Sequence, residues 1–321
     1  MTRTRRAGLS LILVALLFLT TALPVVAADI FRFYAPPGGA YANAAFERDA
    51  TVEVQVTVEH EGVAISSWFL AVSRGGSTVY EPRELTAGAD VLDYQIYGET
   101  PPSTKVLKEP PAILTADNVI TSADFNTVVA TAETVSFSMF VYIPTAQFQP
   151  AGEYTDTVTL SLYTGDYATP ASHVLADSVC LAVTGRLAEL IDIYSDREPG
   201  IRYMDLTTTE AGRLIATVNE RSNSSTGYTV TLTSANLAAD VSGATEPFFA
   251  HTTASGTLEY TLTYGGAAVA GWSSGSAVIT DTVGTTAPEW LSKELRISYV
   301  GSTTLPAGDY EDVVALTISA K

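Results

Sequence analysis

Pro150-Ala151-Gly152-Glu153-Tyr154-Thr155-Asp156-Thr157-Val158-Thr159-Leu160-Ser161-Leu162 returns later in the chain as Pro306-Ala307-Gly308-Asp309-Tyr310-Glu311-Asp312-Val313-Val314-Ala315-Leu316-Thr317-Ile318. Seven of the thirteen positions are identical. Each copy reads as a turn feeding a strand: Pro-Ala-Gly bends the chain, and apolar residues then alternate with polar ones. In the second copy Val314, Leu316 and Ile318 fall on one face and Val313, Ala315 and Thr317 on the other. Only Ser319, Ala320 and Lys321 follow. The expectation is a sheet whose next strand comes from another chain.

Two further blocks repeat in the same order. Trp68-Phe69-Leu70-Ala71-Val72-Ser73 matches Tyr228-Thr229-Val230-Thr231-Leu232-Thr233, and Leu92-Asp93-Tyr94-Gln95-Ile96 matches Leu258-Glu259-Tyr260-Thr261-Leu262. The offsets of the three blocks agree closely, which points to two homologous domains rather than a solenoid. Alternating runs at 51–58, 67–73, 91–97, 135–143, 154–162, 174–183, 213–218, 228–233, 258–264, 295–299 and 310–320, separated by Gly, Pro, Asn and Ser clusters, predict an all-β protein. The expected organisation is a signal peptide over 1–28, an N-terminal β-sandwich over 29–185 and a C-terminal β-sandwich over 186–321. Residues 174–183 either close the first domain or open the second. The former is preferred, because 187–194 remains to start the second. Residues 29–50, with Pro36-Pro37-Gly38-Gly39, read as a flexible leader, and 98–118, with two Pro-Pro pairs, as a long surface loop.

Arg3, Arg5 and Arg6 followed by an apolar run and small residues before Asp29 give the first 28 residues the form of an export signal. The formal charge is −18 over the 321 residues. Such acidity argues against nucleic acid as a partner. Cys180 is the one cysteine, so no disulfide forms within the chain, and its strand setting suggests a buried, small apolar role.

Catalytic constellations are weak. Gly271-Trp272-Ser273-Ser274-Gly275 has the form Gly-x-Ser-x-Gly, but a nucleophile elbow needs a following helix and none is patterned there. His60, His173 and His251 stand singly, and Asp192, Asp196 and Glu198 lack the spacing of a calcium loop. No catalytic residue, cofactor or metal is assigned. Asn223-Ser224-Ser225 has the form of a glycosylation sequon. Trp68, Tyr94, Tyr154, Tyr228, Tyr260 and Tyr310 are expected in cores or corners. Phe31, Phe33, Tyr34, Trp272 and Trp290 lie outside the repeats, where exposure would make an apolar adhesive tip.

On the segments Gln147…Pro150-Ala151-Gly152-x-Tyr154-x-Asp156-x-Val158-x-Leu160, Leu92-Asp93-Tyr94-x-Ile96-Tyr97 and Gly227-Tyr228-Thr229-Val230-Thr231-Leu232-Thr233, the chain resembles the spore coat protein U domain, shared with subunits of archaic chaperone–usher pili. The resemblance implies immunoglobulin-like sandwiches, the C-terminal one lacking its last strand. It also implies a periplasmic chaperone, an outer-membrane usher and a neighbouring fibre subunit as partners, with transit through the periplasm to the cell surface or a fimbrium. The residues expected to form the assembly strand are Tyr310, Val314, Leu316 and Ile318. The repeated turn is Pro150, Ala151, Gly152 and Tyr154 in one copy and Pro306, Ala307 and Gly308 in the other. The functional expectation is a fimbrial subunit, of the tip-adhesin arrangement with an unknown receptor. The alternatives are a self-contained coat or envelope protein and, more remotely, a carbohydrate-active enzyme.

Overall fold

The computed structural model describes residues 29–197, 203–284 and 290–321. The expected signal peptide lies outside them. The described residues form nineteen strands in two β-sandwiches. The first contains β1 (Ile30–Phe33), β2 (Ala40–Ala44), β3 (Ala50–Gly62), β4 (Trp68–Val72), β5 (Arg83–Ala87), β6 (Asp90–Tyr97), β7 (Val129–Ile143), β8 (Gly152–Thr164) and β9 (Val174–Leu187). Its strand order is β1-β3-β7-β6-β5-β8-β9-β2, with β4 also on β8. One Cα pair, Thr86 with Thr155, joins β5 to β8. There the ladder folds over into two layers, β1-β3-β7-β6 and β4-β8-β9-β2. Alternation supplies the core: Val54, Val56 and Val58 from one layer meet Val158, Leu160, Leu162, Leu181 and Val183 from the other.

The second sandwich contains β10 (Ile191–Arg197), β11 (Glu210–Ser222), β12 (Tyr228–Ser234), β13 (Phe248–His251), β14 (Thr257–Tyr264), β15 (Ala267–Ala268), β16 (Ser276–Asp281), β17 (Leu291–Tyr299), β18 (Tyr310–Glu311) and β19 (Val314–Ala320). A one-turn helix, α1 (Ala235–Ala239), follows β12, capped by the Ser234 hydroxyl accepting from the Leu237 amide. Its layers are β10-β11-β17-β14, extended by β13 and β18, and β16-β12-β19. The duplicated sequence blocks map onto this equivalence. β4 corresponds to β12, β6 to β14, and β8 to β18 with β19. The pairing of β5 with β8 reappears between β13 and β18.

The 174–183 run lies within β9, which pairs antiparallel with β8 from Gly152–Leu187 to Thr164–Val174 and so belongs to the first sandwich. Gly185 fits closely there, since a Cβ would come within 2.6 Å of the Leu85 side chain and 2.7 Å of the Ile143 side chain, which would have to shift. The expected leader is not one. Residues 29–50 contain β1, antiparallel to β3, and β2, parallel to β9. The Pro-Pro-Gly-Gly segment only carries the chain from one layer to the other. Cys180 is exposed, not buried, because Leu181 and Val183 take the inward parity of β9. The 98–118 loop is anchored, not free. Leu107 is buried, and beyond the loop Leu70 and Ile120 exchange amide hydrogen bonds of 2.8 and 3.1 Å.

Candidate assembly groove

Both copies of the duplicated turn adopt one geometry. Gly152 and Gly308 have φ of +152° and +149°, a region that favours glycine. The Tyr154 hydroxyl donates to the Pro150 carbonyl (2.6 Å) and the Tyr310 hydroxyl to the Pro306 carbonyl (3.0 Å), fixing the corner four residues upstream. A second tie is also duplicated. Tyr94 donates to Asp156 Oδ2 (2.6 Å) and Tyr260 to Asp312 Oδ2 (2.5 Å). Burial, and then the bonded carboxylate, hold both phenols above the ordinary tyrosine range. Tyr154 is pushed up to about 12, by burial first and the Asp90 charge second.

Both aspartates take further donors: Asp156 accepts from the Gly76 and Thr157 amides (2.9 and 2.7 Å). Asp312 accepts from the Ser234 hydroxyl (2.6 Å) and the Asn236 amide (3.0 Å), while Asn236 Nδ2 donates to Phe248 and Glu311 carbonyls (2.9 and 2.7 Å). His251 Nδ1 accepts from the amides of Thr253 and Ala254, which places its proton on Nε2, donating to the Ala307 carbonyl (3.1 Å). These groups hold the start of the last strand against α1 and β13. The signal in the sequence was the identity of Asp156 with Asp312. The partners Ser234, Asn236 and His251 come from distant segments and carry no such mark.

The copies part company in their surroundings. β8 is flanked by β4 and by β9, whereas β19 pairs with β12, and among the described residues no strand pairs with its other edge, although β10 comes near it. Tyr154 is 1% exposed and Val158, Leu160 and Leu162 are 0% exposed. Their equivalents Tyr310, Val314, Leu316 and Ile318 are all only half-buried. Alternation is identical; the missing cover is what β9 and β2 supply in the first sandwich. Between β19 and the opposite layer a cavity of about 420 Å³ opens, lined by Ile215, Phe249, Leu262, Leu295, Ile297, Val314 and Leu316 among others. It is an apolar groove beside an unpaired backbone edge.

The other sequence candidates fall elsewhere. Five of the six repeat aromatics are buried, Tyr310 being the exception. Four of the five aromatics outside the repeats pack against the protein and do not assemble an apolar tip. Phe33 is buried, and Phe31 packs edge-on against Trp68 and Phe125. Trp272 is half-buried against the second core, and Trp290 lies 4.2 Å from the Arg221 guanidinium, leaving Tyr34 exposed. Ser273 sits in a turn that pairs back to Ser276 and feeds β16, so no strand–helix elbow forms. His60 is buried among Phe31 and Phe125, and His173 lies against Phe69 and Tyr163. Among the described residues no group of three or more His, Cys, Asp or Glu is placed to hold a metal. Asp192 pairs with Arg221, and Glu198 lies outside the described residues. Asn223 is buried, with Oδ1 accepting from Leu190 and Nδ2 donating to Ala188, so the sequon side chain is committed to the link between the sandwiches.

Residues 38–161 match the family model described as Spore Coat Protein U domain. That segment is similar to the Spore Coat Protein U domain. The match lies in the first sandwich, running from just before β2 into β8. The matched segment includes most of the first copy of the Pro-Ala-Gly block and stops short of β9. No curated protein matches the chain. Among solved structures it is similar to the CsuC–CsuE chaperone–tip adhesion subunit pre-assembly complex from archaic Csu pili of Acinetobacter baumannii, at 10% identity over 89% of this chain and 100% of that one, TM-score 0.39. It is also similar to a chaperone–tip adhesin complex of CFA/I fimbriae biogenesis, at 12% identity over 89% and 97%, TM-score 0.35. A third is the CssB subunit complemented with a donor strand from CssA, of enterotoxigenic Escherichia coli colonization factor CS6, at 14% identity over 47% and 95%, TM-score 0.24.

Proposed function

We propose that the protein is a secreted bacterial fimbrial subunit whose second sandwich is completed by a strand from another polypeptide. The observation that carries this reading is the loss of burial at Tyr310, Val314, Leu316 and Ile318 relative to their own duplicates. A strand laid on β19 as β9 lies on β8 would pair the free edge and cover the groove. The tip of a fibre is the position that fits best. β1, the first described strand and the place where an ordinary subunit would carry the segment it extends to its neighbour, is already paired with β3 of its own sandwich. The first sandwich, which ends with β9 at Leu187, then forms the receptor-binding domain and the second sandwich the joint. A periplasmic chaperone holds the groove during export, an outer-membrane usher accepts the subunit, and the next fibre subunit replaces the chaperone. The chemistry is strand exchange and binding, with residues 1–28 directing export.

Amide hydrogen exchange on the isolated mature chain tests the reading. The β19 amides facing the groove should exchange far faster than those of β8, and should become protected when chaperone or a peptide with the sequence of β9 is added. Protection of β19 equal to that of β8 in the lone monomer would sink the assembly reading in favour of a self-contained coat protein.

A further inference from the structure

A second cleft, of about 500 Å³, lies at the junction of the two sandwiches and is lined by residues of both. Its two cations, Arg48 and Arg186, are unusual in this chain. Among the described residues, eight Lys and Arg side chains pair with carboxylates. Arg74 and Arg83 are held by carbonyls and the Tyr80 ring. Arg48 and Arg186 have neither kind of partner, in a protein with 35 acidic residues. Glu153 stands opposite Arg186 in the β8–β9 ladder, yet its carboxylate takes the Tyr41 hydroxyl (3.3 Å) instead. Glu189 is the one carboxylate lining the cleft, against two guanidiniums.

The second sandwich contributes donors to the same space. Residues 224–227 form a turn closed by the Gly227 amide on the Ser224 carbonyl (3.3 Å). That leaves the central amides of Ser225 and Thr226, and the exposed Ser225 hydroxyl, without a partner at the cleft wall. Two arginines and a turn with two unpartnered backbone amides line the same cleft, a donor set for an anionic oxygen group. The net charge of the chain repels anions at long range, but its field is screened within about 8 Å at physiological ionic strength, so the local donors decide.

We propose that this junction binds a small organic oxyanion, its phosphate or carboxylate held by Arg48 and Arg186 and by the Ser225–Thr226 turn. The cleft has room for a body beyond the anionic group, which favours a phosphorylated or uronic sugar over a bare ion. Such a ligand would touch both sandwiches at once. The site is separate from the assembly groove and does not depend on strand exchange.

Titration of the full mature chain with inorganic phosphate, glucose 6-phosphate and glucuronate, each followed by calorimetry and by amide resonances, tests it against potassium chloride at matched ionic strength. Saturable binding that shifts the Ser225 and Thr226 amides is expected, with an affinity loss of about tenfold for each of R48Q and R186Q. Tighter binding of the sugars than of inorganic phosphate identifies a sugar as the source; equal binding identifies the free ion. Both arginines are exposed, so the variants should melt as the parent does. An effect reproduced by chloride, or binding unchanged in the R48Q/R186Q double variant, overturns the proposal.

Discussion

Leu160→Ala and Leu316→Ala remove the same atoms from duplicated positions, and the structure requires them to cost different amounts. Leu160 is 0% exposed within the first core, with Val179 of β9 opposite it, so truncation loses the transfer free energy and leaves a cavity, about 3–5 kcal/mol in total. Leu316 is half-buried on an open groove. Water enters the space, the cavity contribution vanishes, and about 1–1.5 kcal/mol of partial transfer remains. For sandwiches of this size each kcal/mol shifts the midpoint by about 3–5 °C, so the first sandwich should lose roughly 10 °C more than the second. Urea or thermal unfolding reads the two separately, through Trp68 in one and through Trp272 and Trp290 in the other. Once a strand fills the groove, Leu316 becomes the equal of Leu160, and the variant should bind that strand about 30-fold more weakly, the equivalent of about 2 kcal/mol. Equal destabilisation by both substitutions in the lone chain would show that β19 is already covered, and the argument from burial would fail.

Placing a leucine at Gly185 drives a side chain into Leu85 and Ile143, so Gly185→Leu should destabilise the first sandwich by about 2–3 kcal/mol in urea unfolding, while a β9-like peptide with the same change should fail to enter the groove. Arg83 is fully buried on the carbonyls of Ser73 and Leu107 and the side chain of Gln95; Arg83→Met should cost about 3–5 kcal/mol and expose the 98–111 loop to limited proteolysis. Tyr94 and Tyr260 are held above the ordinary tyrosine pKa, so their contribution is intact below pH about 10 and is lost as pH rises above it. Alkaline unfolding should therefore begin above about pH 10, and the Tyr94→Phe/Tyr260→Phe double variant, less stable at neutral pH by about 1–2 kcal/mol per site, should show a shallower alkaline slope.

Long strands with one buried face were legible because their period is local. The runs that became β3, β7, β8, β11 and β14 carry their inward parity in the sequence. β1 and β2 were not legible. Four and five residues long, they are strands only because β3 and β9 lie beside them, the latter some 140 residues away. Cys180 failed for a related reason: Ser178-Val179-Cys180-Leu181-Ala182-Val183 has apolar residues on both parities, and only pairing with β8 decides which face turns inward. At the groove, the repeated turn and the alternation of Val314, Leu316 and Ile318 were readable. The half-burial that distinguishes them was not, because it depends on what lies alongside rather than on the strand itself.

That difference in company has a hereditary consequence. A changed side chain at Val158 or Leu160 can be answered by a second change at Leu181 or Val179, on the same polypeptide and in the same gene. For Val314, Leu316 and Ile318 the answering residue, on the proposed assembly, is encoded elsewhere. The two copies of one ancestral block would then drift under different rules, the first free to co-vary with its own chain and the second tied to the fortunes of a separate locus.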